Sequence, residues 1–160
     1  MERHFMKHVT RDLLFQATLN GRVDDVVLLL ENGDDVDRPL YYGSGAIEGK
    51  VVTALMVAAQ EGHADVVSVL LNRKANVHLA RDDDATPLFI ASMQGRTEVV
   101  KLLIAANAEV HLEDDAGISP LIIACHHHHA EVAHATPCFA LTTPLHGCAA
   151  TRPLLVGGSR

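Results

Sequence analysis

The sequence contains no Trp, and aromatic residues make up only 4% of its 160 positions. A compact core usually leans on large aromatic side chains. This one must be filled by Ala, Val, Leu and Ile, which suits thin layers of closely packed helices. No apolar stretch approaches the length needed to cross a bilayer. The opening residues, MERHFMKHVTRDLLF, carry charges where a signal peptide needs an apolar run. Cysteine is missing until Cys125. Cys125, Cys138 and Cys148 are odd in number and show no CxxC spacing, which points to a reducing compartment rather than a disulfide frame. Basic charge is not in excess: the formal net charge is -7, which disfavours nucleic acid as a partner. Catalytic motifs are missing too, with no nucleophile elbow, phosphate loop or HExxH. The expectation is one soluble domain of the cytoplasm, with the nucleus as the alternative compartment. It is expected to be monomeric, with no cofactor, no membrane partner and no enzymatic activity.

What is present is a repeat. Shifted by 33 residues, the middle of the chain falls into register with itself. Thr53, Leu55, Ala58, Gly62, Val66, Val67, Leu70 and Ala75 meet Thr86, Leu88, Ala91, Gly95, Val99, Val100, Leu103 and Ala108. Val77, His78, Leu79 and Asp82 likewise meet Val110, His111, Leu112 and Asp115. A further copy opens at Ser119-Pro120-Leu121 and keeps Ala124, Glu131 and Val132. An upstream copy keeps Leu14, Ala17, Gly21, Asp25, Val26, Leu29, Leu30 and Gly33.

Each copy predicts two short helices and a turn. Thr53 and Thr86 suit a helix N-cap, and Pro87 and Pro120 suit the first helical position. The first helix carries small residues (Ala58 and Ala59, Ala91 and Ser92) that allow close approach. Gly62 and Gly95 end it, because glycine takes the left-handed conformation freely. The second helix carries VVxxLL, an apolar stripe at helical spacing, and stops near Asn72 or Ala105. Two helices of roughly ten residues cannot bury that stripe alone, so neighbouring units must stack into a solenoid.

The segments TALMVAAQEGHADVVSVLLNRKANV and TPLFIASMQGRTEVVKLLIAANAEV resemble the ankyrin repeat, whose signature is TPLHxAAxxGHxxVVxxLLxxGAxVN. The resemblance runs from about Asp12 to Val132. It implies an all-α solenoid of stacked helix-turn-helix units with β-hairpin-like finger loops, about four repeats with the last one degenerate. Met56, Phe89 and Ile122 stand where the family usually has His, and His78 and His111 stand near its usual loop Asn. The predicted repeat domain covers residues 1–135, in units of about 9–41, 50–82, 83–115 and 116–135. Gly21 and Gly62 are 41 residues apart, so about eight residues are inserted, forming a longer finger at about 40–52. After Val132 the pattern decays, and Pro137 should stop the last helix early. Residues 136–160 are expected to be a degenerate or disordered tail, in which Thr143-Pro144-Leu145-His146 resembles the start of a partial further repeat, too soon in register. A fragment or shortened variant of a longer array, and a tail that folds back irregularly, both stay open.

The resemblance implies a protein-protein interaction module that binds through its fingers and the concave face of the first helices. It nominates Tyr41, Tyr42, Lys50, Val52, Gln60 and Glu61. From the next unit come Asp82, Asp83, Ala85, Met93 and Gln94, and from the last Asp115, Ile118, His126 and His127. Acidic runs recur at the finger positions: Asp34, Asp35 and Asp37; Asp82 to Asp84; Glu113 to Asp115. Such runs are ordinarily solvated surface. Stacked on one edge, they would also make a docking strip for a partner with a basic segment. Tyr41 and Tyr42 are adjacent, so in a strand one would pack inward and the other would meet a partner.

Two other readings compete. Cys125, His126, His129 and His134, with Cys138 nearby, would suit a zinc-responsive protein. The repeat register accounts for the same residues more simply. His129 aligns with His63 and His128 with Gly62 and Gly95, and a tract straddling a turn has no fixed geometry. His78 and His111 read as loop-stabilising side chains. The third reading is a targeting subunit of an enzyme complex.

Overall fold

A computed structural model describes residues 13–41 and 51–136, without the side chains of Tyr41 and Val51. Helix α1 covers residues 13–19. It is followed by α2 (Val23–Glu31), β1 (Leu40–Tyr41), β2 (Val51–Val52), α3 (Ala54–Glu61) and α4 (Ala64–Asn72). Then come α5 (Pro87–Met93), α6 (Thr97–Ala105), α7 (Pro120–His126) and α8 (Ala130–Ala135). First helices pack α3 on α5 on α7, and second helices pack α2 on α4 on α6 on α8, so the hairpins form a row. The strands pair antiparallel, Leu40 with Val52 and Tyr41 with Val51. They form the base of the inserted finger, whose remaining residues, 42–50, lie outside the described set, as do residues 1–12 and 137–160.

The two kinds of helix differ in how they are buried. In α4 only the stripe Val66, Val67 and Leu70 is buried, and in α6 only Val99, Val100 and Leu103. From Ala54 to Ala59 and from Pro87 to Ser92, by contrast, every residue of the first helix is buried. A helix apolar on all sides belongs in the middle of a stack. The alanines there are what let the layers close up with Phe89 as the one aromatic in the two runs. Each fully buried Val or Leu of the second-helix stripe contributes about 1.5–3 kcal/mol of transfer free energy.

The helices are shorter than the ten residues expected, and all but α8 are closed by a left-handed residue. Thr53, Thr86 and Ser119 cap the first helices, accepting from the N–H groups of Met56, Phe89 and Ile122. Gly21, Gly62, Gly95 and His128 sit at positive φ just past those helices. Past the second helices the same conformation falls on Gly33, Lys74 and Asn107. There the Ala75 N–H donates to Leu70 O and the Lys74 N–H to Leu71 O, the Schellman pattern, which recurs after α2 and α6. Helix α8 ends soonest. Thr136 takes an extended ψ of 126°, as a residue preceding proline must.

The caps of the second helices α4, α6 and α8 reach into the previous unit. His63, Arg96 and His129 occupy those N-cap positions, and none bonds its own helix. His63 donates from Nε2 to Leu19 O at 2.9 Å, Arg96 from Nε to Gln60 O at 3.0 Å, and His129 from Nε2 to Met93 O at 3.1 Å. A carbonyl only accepts, so both histidines carry their proton on Nε2. Each side chain lies over a bare glycine of the unit before. A Cβ at Gly21 would meet the His63 ring at 2.8 Å, one at Gly62 would meet Arg96 Cδ at 2.7 Å, and one at Gly95 would meet the His129 ring at 2.5 Å. These glycines are therefore needed twice, for φ and for space.

Two outcomes follow from this backbone. Lys74→Gly removes a side chain held at φ 67°, where an L-residue costs roughly 1–2 kcal/mol. It should raise stability by about 1 kcal/mol in urea denaturation, and no gain would sink the strain argument. Gly95→Ala should cost more than the left-handed penalty alone, because its methyl strikes the His129 ring. In a double-mutant cycle with His129→Ala, the coupling should be on the order of 1 kcal/mol in the direction of rescue. Additive losses would show that the ring does not sit on the glycine.

Candidate partner-binding surface

The fingers are built from their own carboxylates. The tip at 81–85 closes through Arg81 N–H to Ala85 O at 3.0 Å and Asp84 N–H to Arg81 O at 2.9 Å. The next tip repeats this with Asp114 N–H to Ile118 O at 3.1 Å and Gly117 N–H to Asp114 O at 2.9 Å. Both are three-residue loops with a left-handed third residue, Asp84 in one and Gly117 in the other. Asp83 accepts from Arg81 Nε at 2.8 Å and also from Nη2. That hydrogen bond, ahead of the opposing effect of burial, raises the Arg81 pKa above its ordinary value. Asp114 Oδ1 takes the N–H groups of Ala116 and Ile118. Asp34 pairs with Arg38 at 3.0 Å, and Asp35 Oδ1 accepts the Asp37 N–H.

Carboxylates also join one finger to the next. Asp37 accepts the Asn76 N–H through both oxygens, at 2.9 and 3.2 Å. Further along, the Asp115 N–H donates to Asp83 O at 3.2 Å. The loops thus form one hydrogen-bonded edge. Asp82, Glu113 and Asp115 stand exposed on it.

The nominated residues sort by exposure. Gln60 and Gln94 are exposed and Glu61 and Met93 half-buried at the C-terminal ends of α3 and α5. Gln60 Nε2 donates to Glu61 Oε1 at 3.0 Å, while the Gln60 carbonyl holds Arg96. His126 and His127 are exposed at the end of α7, their rings 5.3 Å apart and edge-on, and His127 stacks on His129 at 6.1 Å. Val52 and Ile118 are half-buried against the cluster of Met56, Phe89, Ile90 and Ile123. Ala85 needs correcting. It is 2% exposed within that cluster, because the finger turns its last residue inward to reach the Thr86 cap. Asp83 is corrected in part, since its carboxylate is committed to Arg81. The side chains of Tyr41, Tyr42 and Lys50 lie outside the described residues.

The residues of the zinc alternative do not converge. His129 is engaged with Met93 O, His134 is on α8, and Cys125 is half-buried on α7. Among the described residues, no group of three or more His, Cys, Asp or Glu is placed to hold a metal ion. Cys138 lies outside them. No described helix is long and apolar enough to cross a membrane.

Sequence reasoning missed the side chains that join the units. Their signal was present: a planar donor (His63, Arg96 or His129) stands directly after the left-handed turn residue in three successive units.

Comparison with known proteins agrees with this geometry. No curated protein matches the chain. The family profile described as ankyrin repeats (3 copies) matches residues 14–114 and again 55–135, most of the chain and all of its described helices but the first residue of α1. Its caps, paired left-handed closures and stacked hairpins follow one repeating plan, and the chain belongs to the ankyrin-repeat family.

Proposed function

We propose that this chain is a non-catalytic interaction module that captures a partner protein along its finger edge and the exposed ends of its first helices. One observation carries the reading. Side chains at equivalent positions in successive units (Asp82 and Asp115; Gln60 and His126; Gln94 and His127) are exposed, while the backbone beneath them is bonded from unit to unit. Such a surface is ordered before the partner arrives, so little rotational freedom is lost on contact. Ankyrin repeats generally serve protein-protein interaction, and the family assignment supports the same use here.

The partner we infer presents a basic segment to the finger edge. Asp82, Asp84, Glu113 and Asp115 are the exposed carboxylates of the second and third fingers, and exposed charges steer and select more than they bind. Asp83 and Asp114 do not belong to that contact, being spent on the loops. We place the protein in the cytoplasm or nucleus, in keeping with three cysteines that show no disulfide-frame spacing.

Charge reversal separates these roles. Asp82→Lys with Asp115→Lys should cut recovery of the native partner from cell extract several-fold. It should also weaken the salt dependence of what remains, with stability changed by less than about 0.5 kcal/mol. Asp83→Lys should instead lower the melting temperature. Full recovery of partner with both exposed carboxylates reversed would sink the acidic contact.

A further inference from the structure

We propose that Asn32 is a site of spontaneous deamidation, with water as the reactant, and that the fold shields the same dipeptide at Asn20 by laying the His63 ring over it.

The chain holds two Asn-Gly pairs, Asn20-Gly21 and Asn32-Gly33. Asparagine is thermolabile, and most so before glycine, where no Cβ hinders the following nitrogen. The glycine nitrogen attacks Cγ of the asparagine and forms a C–N bond. The Cγ–Nδ2 bond breaks, and Nδ2 leaves as ammonia with the proton given up by the glycine N–H. The resulting succinimide adds one water at either carbonyl. The products are aspartate and its isomer joined through the side-chain carboxyl. No electron changes hands, and water alone is consumed.

Closing the five-membered ring requires the glycine nitrogen to swing round towards the asparagine Cβ. Asn32 is held at φ -76° and ψ 4°, with that nitrogen well away from its side chain. The turn must therefore open first, and the two turns are closed alike by backbone. The Gly21 and Arg22 N–H groups donate to Thr18 O at 3.1 Å and Ala17 O at 2.8 Å. The Gly33 and Asp34 N–H groups donate to Leu30 O and Leu29 O, each at 3.2 Å.

What differs is what lies on top. Asn20 Nδ2, the leaving nitrogen, donates to Gln16 O at 2.6 Å. The carbonyl before it, Leu19 O, accepts from His63 Nε2 of the next unit at 2.9 Å. A Cβ on Gly21 would meet that ring at 2.8 Å, whereas one on Gly33 would meet nothing within 4 Å. Asn32 and Gly33 are both exposed. Opening the first turn breaks a joint between units, while opening the second only frays a helix end, which costs far less.

The product places a new carboxylate between Glu31, paired with Arg73 of the next unit at 3.0 Å, and Asp34, paired with Arg38. The isomer also adds a carbon to the main chain where α2 runs into the first finger. The two donors that close that turn then lose their register.

Peptide mapping by mass spectrometry tests this on the full chain, incubated warm at mildly alkaline pH. In the folded protein, residue 32 should convert about ten-fold faster than residue 20, or more. In concentrated urea the two should convert at similar rates. His63→Ala should speed conversion at Asn20 several-fold and leave Asn32 unchanged, with circular dichroism verifying that the variant is folded. Should it unfold, the folded and urea-treated wild type decide the matter alone. Equal rates in the folded chain, or a faster Asn20, overturn the proposal. So does an Asn32 that stays intact while the urea-unfolded chain deamidates, or a folded His63→Ala whose Asn20 is as slow as in wild type.

Discussion

Everything in this fold depends on a flat side chain lying on a bare glycine. A hairpin of two helices cannot bury its own apolar stripe, and stacking supplies the cover. Stacking alone would leave the register between hairpins loose, since Val and Leu stripes slide past one another at little cost. The donor from His63, Arg96 or His129 to the carbonyl two residues before the previous unit's left-handed turn removes that freedom. Imidazole and guanidinium are both planar with an N–H on the rim, so either can rest on a Cα and still reach sideways to an oxygen. A lysine has the charge but not the plane.

Left-handed residues follow from the same economy. Among the described residues, those at positive φ occupy three repeat positions: after the first helix, after the second, and at the finger tip. Glycine holds the first of these wherever another unit follows, because space is needed there as well as φ. At the other two only the dihedral matters, and a Cβ built on Gly33 meets nothing within 4 Å. Those positions drift to Lys74, Asn107 and Asp84, whose strain of a kcal/mol or so a well-packed array tolerates. The difference between a strict glycine and a relaxed one thus reports whether a neighbour sits on it.

The helices were legible in the sequence because their signals are local. Thr53, Thr86 and Ser119 cap, Pro87 and Pro120 open, and the Val-Leu stripes show their period within nine residues. Pro137 stops α8 through its effect on the preceding residue. The finger surface was less legible, because a carboxylate's duty depends on contacts distant in sequence. Asp82 and Asp83 are chemically the same and adjacent, yet one stands in solvent while the other holds Arg81. Asp37 serves an N–H 39 residues away. Resemblance nominates Ala85 as a finger position open to a partner. The turn back to the Thr86 cap carries it inward instead.

The acidic runs therefore have two uses, and the first limits the second. Carboxylates that accept backbone N–H groups fix the loops and bond finger to finger, which makes the edge rigid. Rigidity gives the remaining exposed carboxylates fixed spacing, and fixed spacing lets surface charge discriminate between partners.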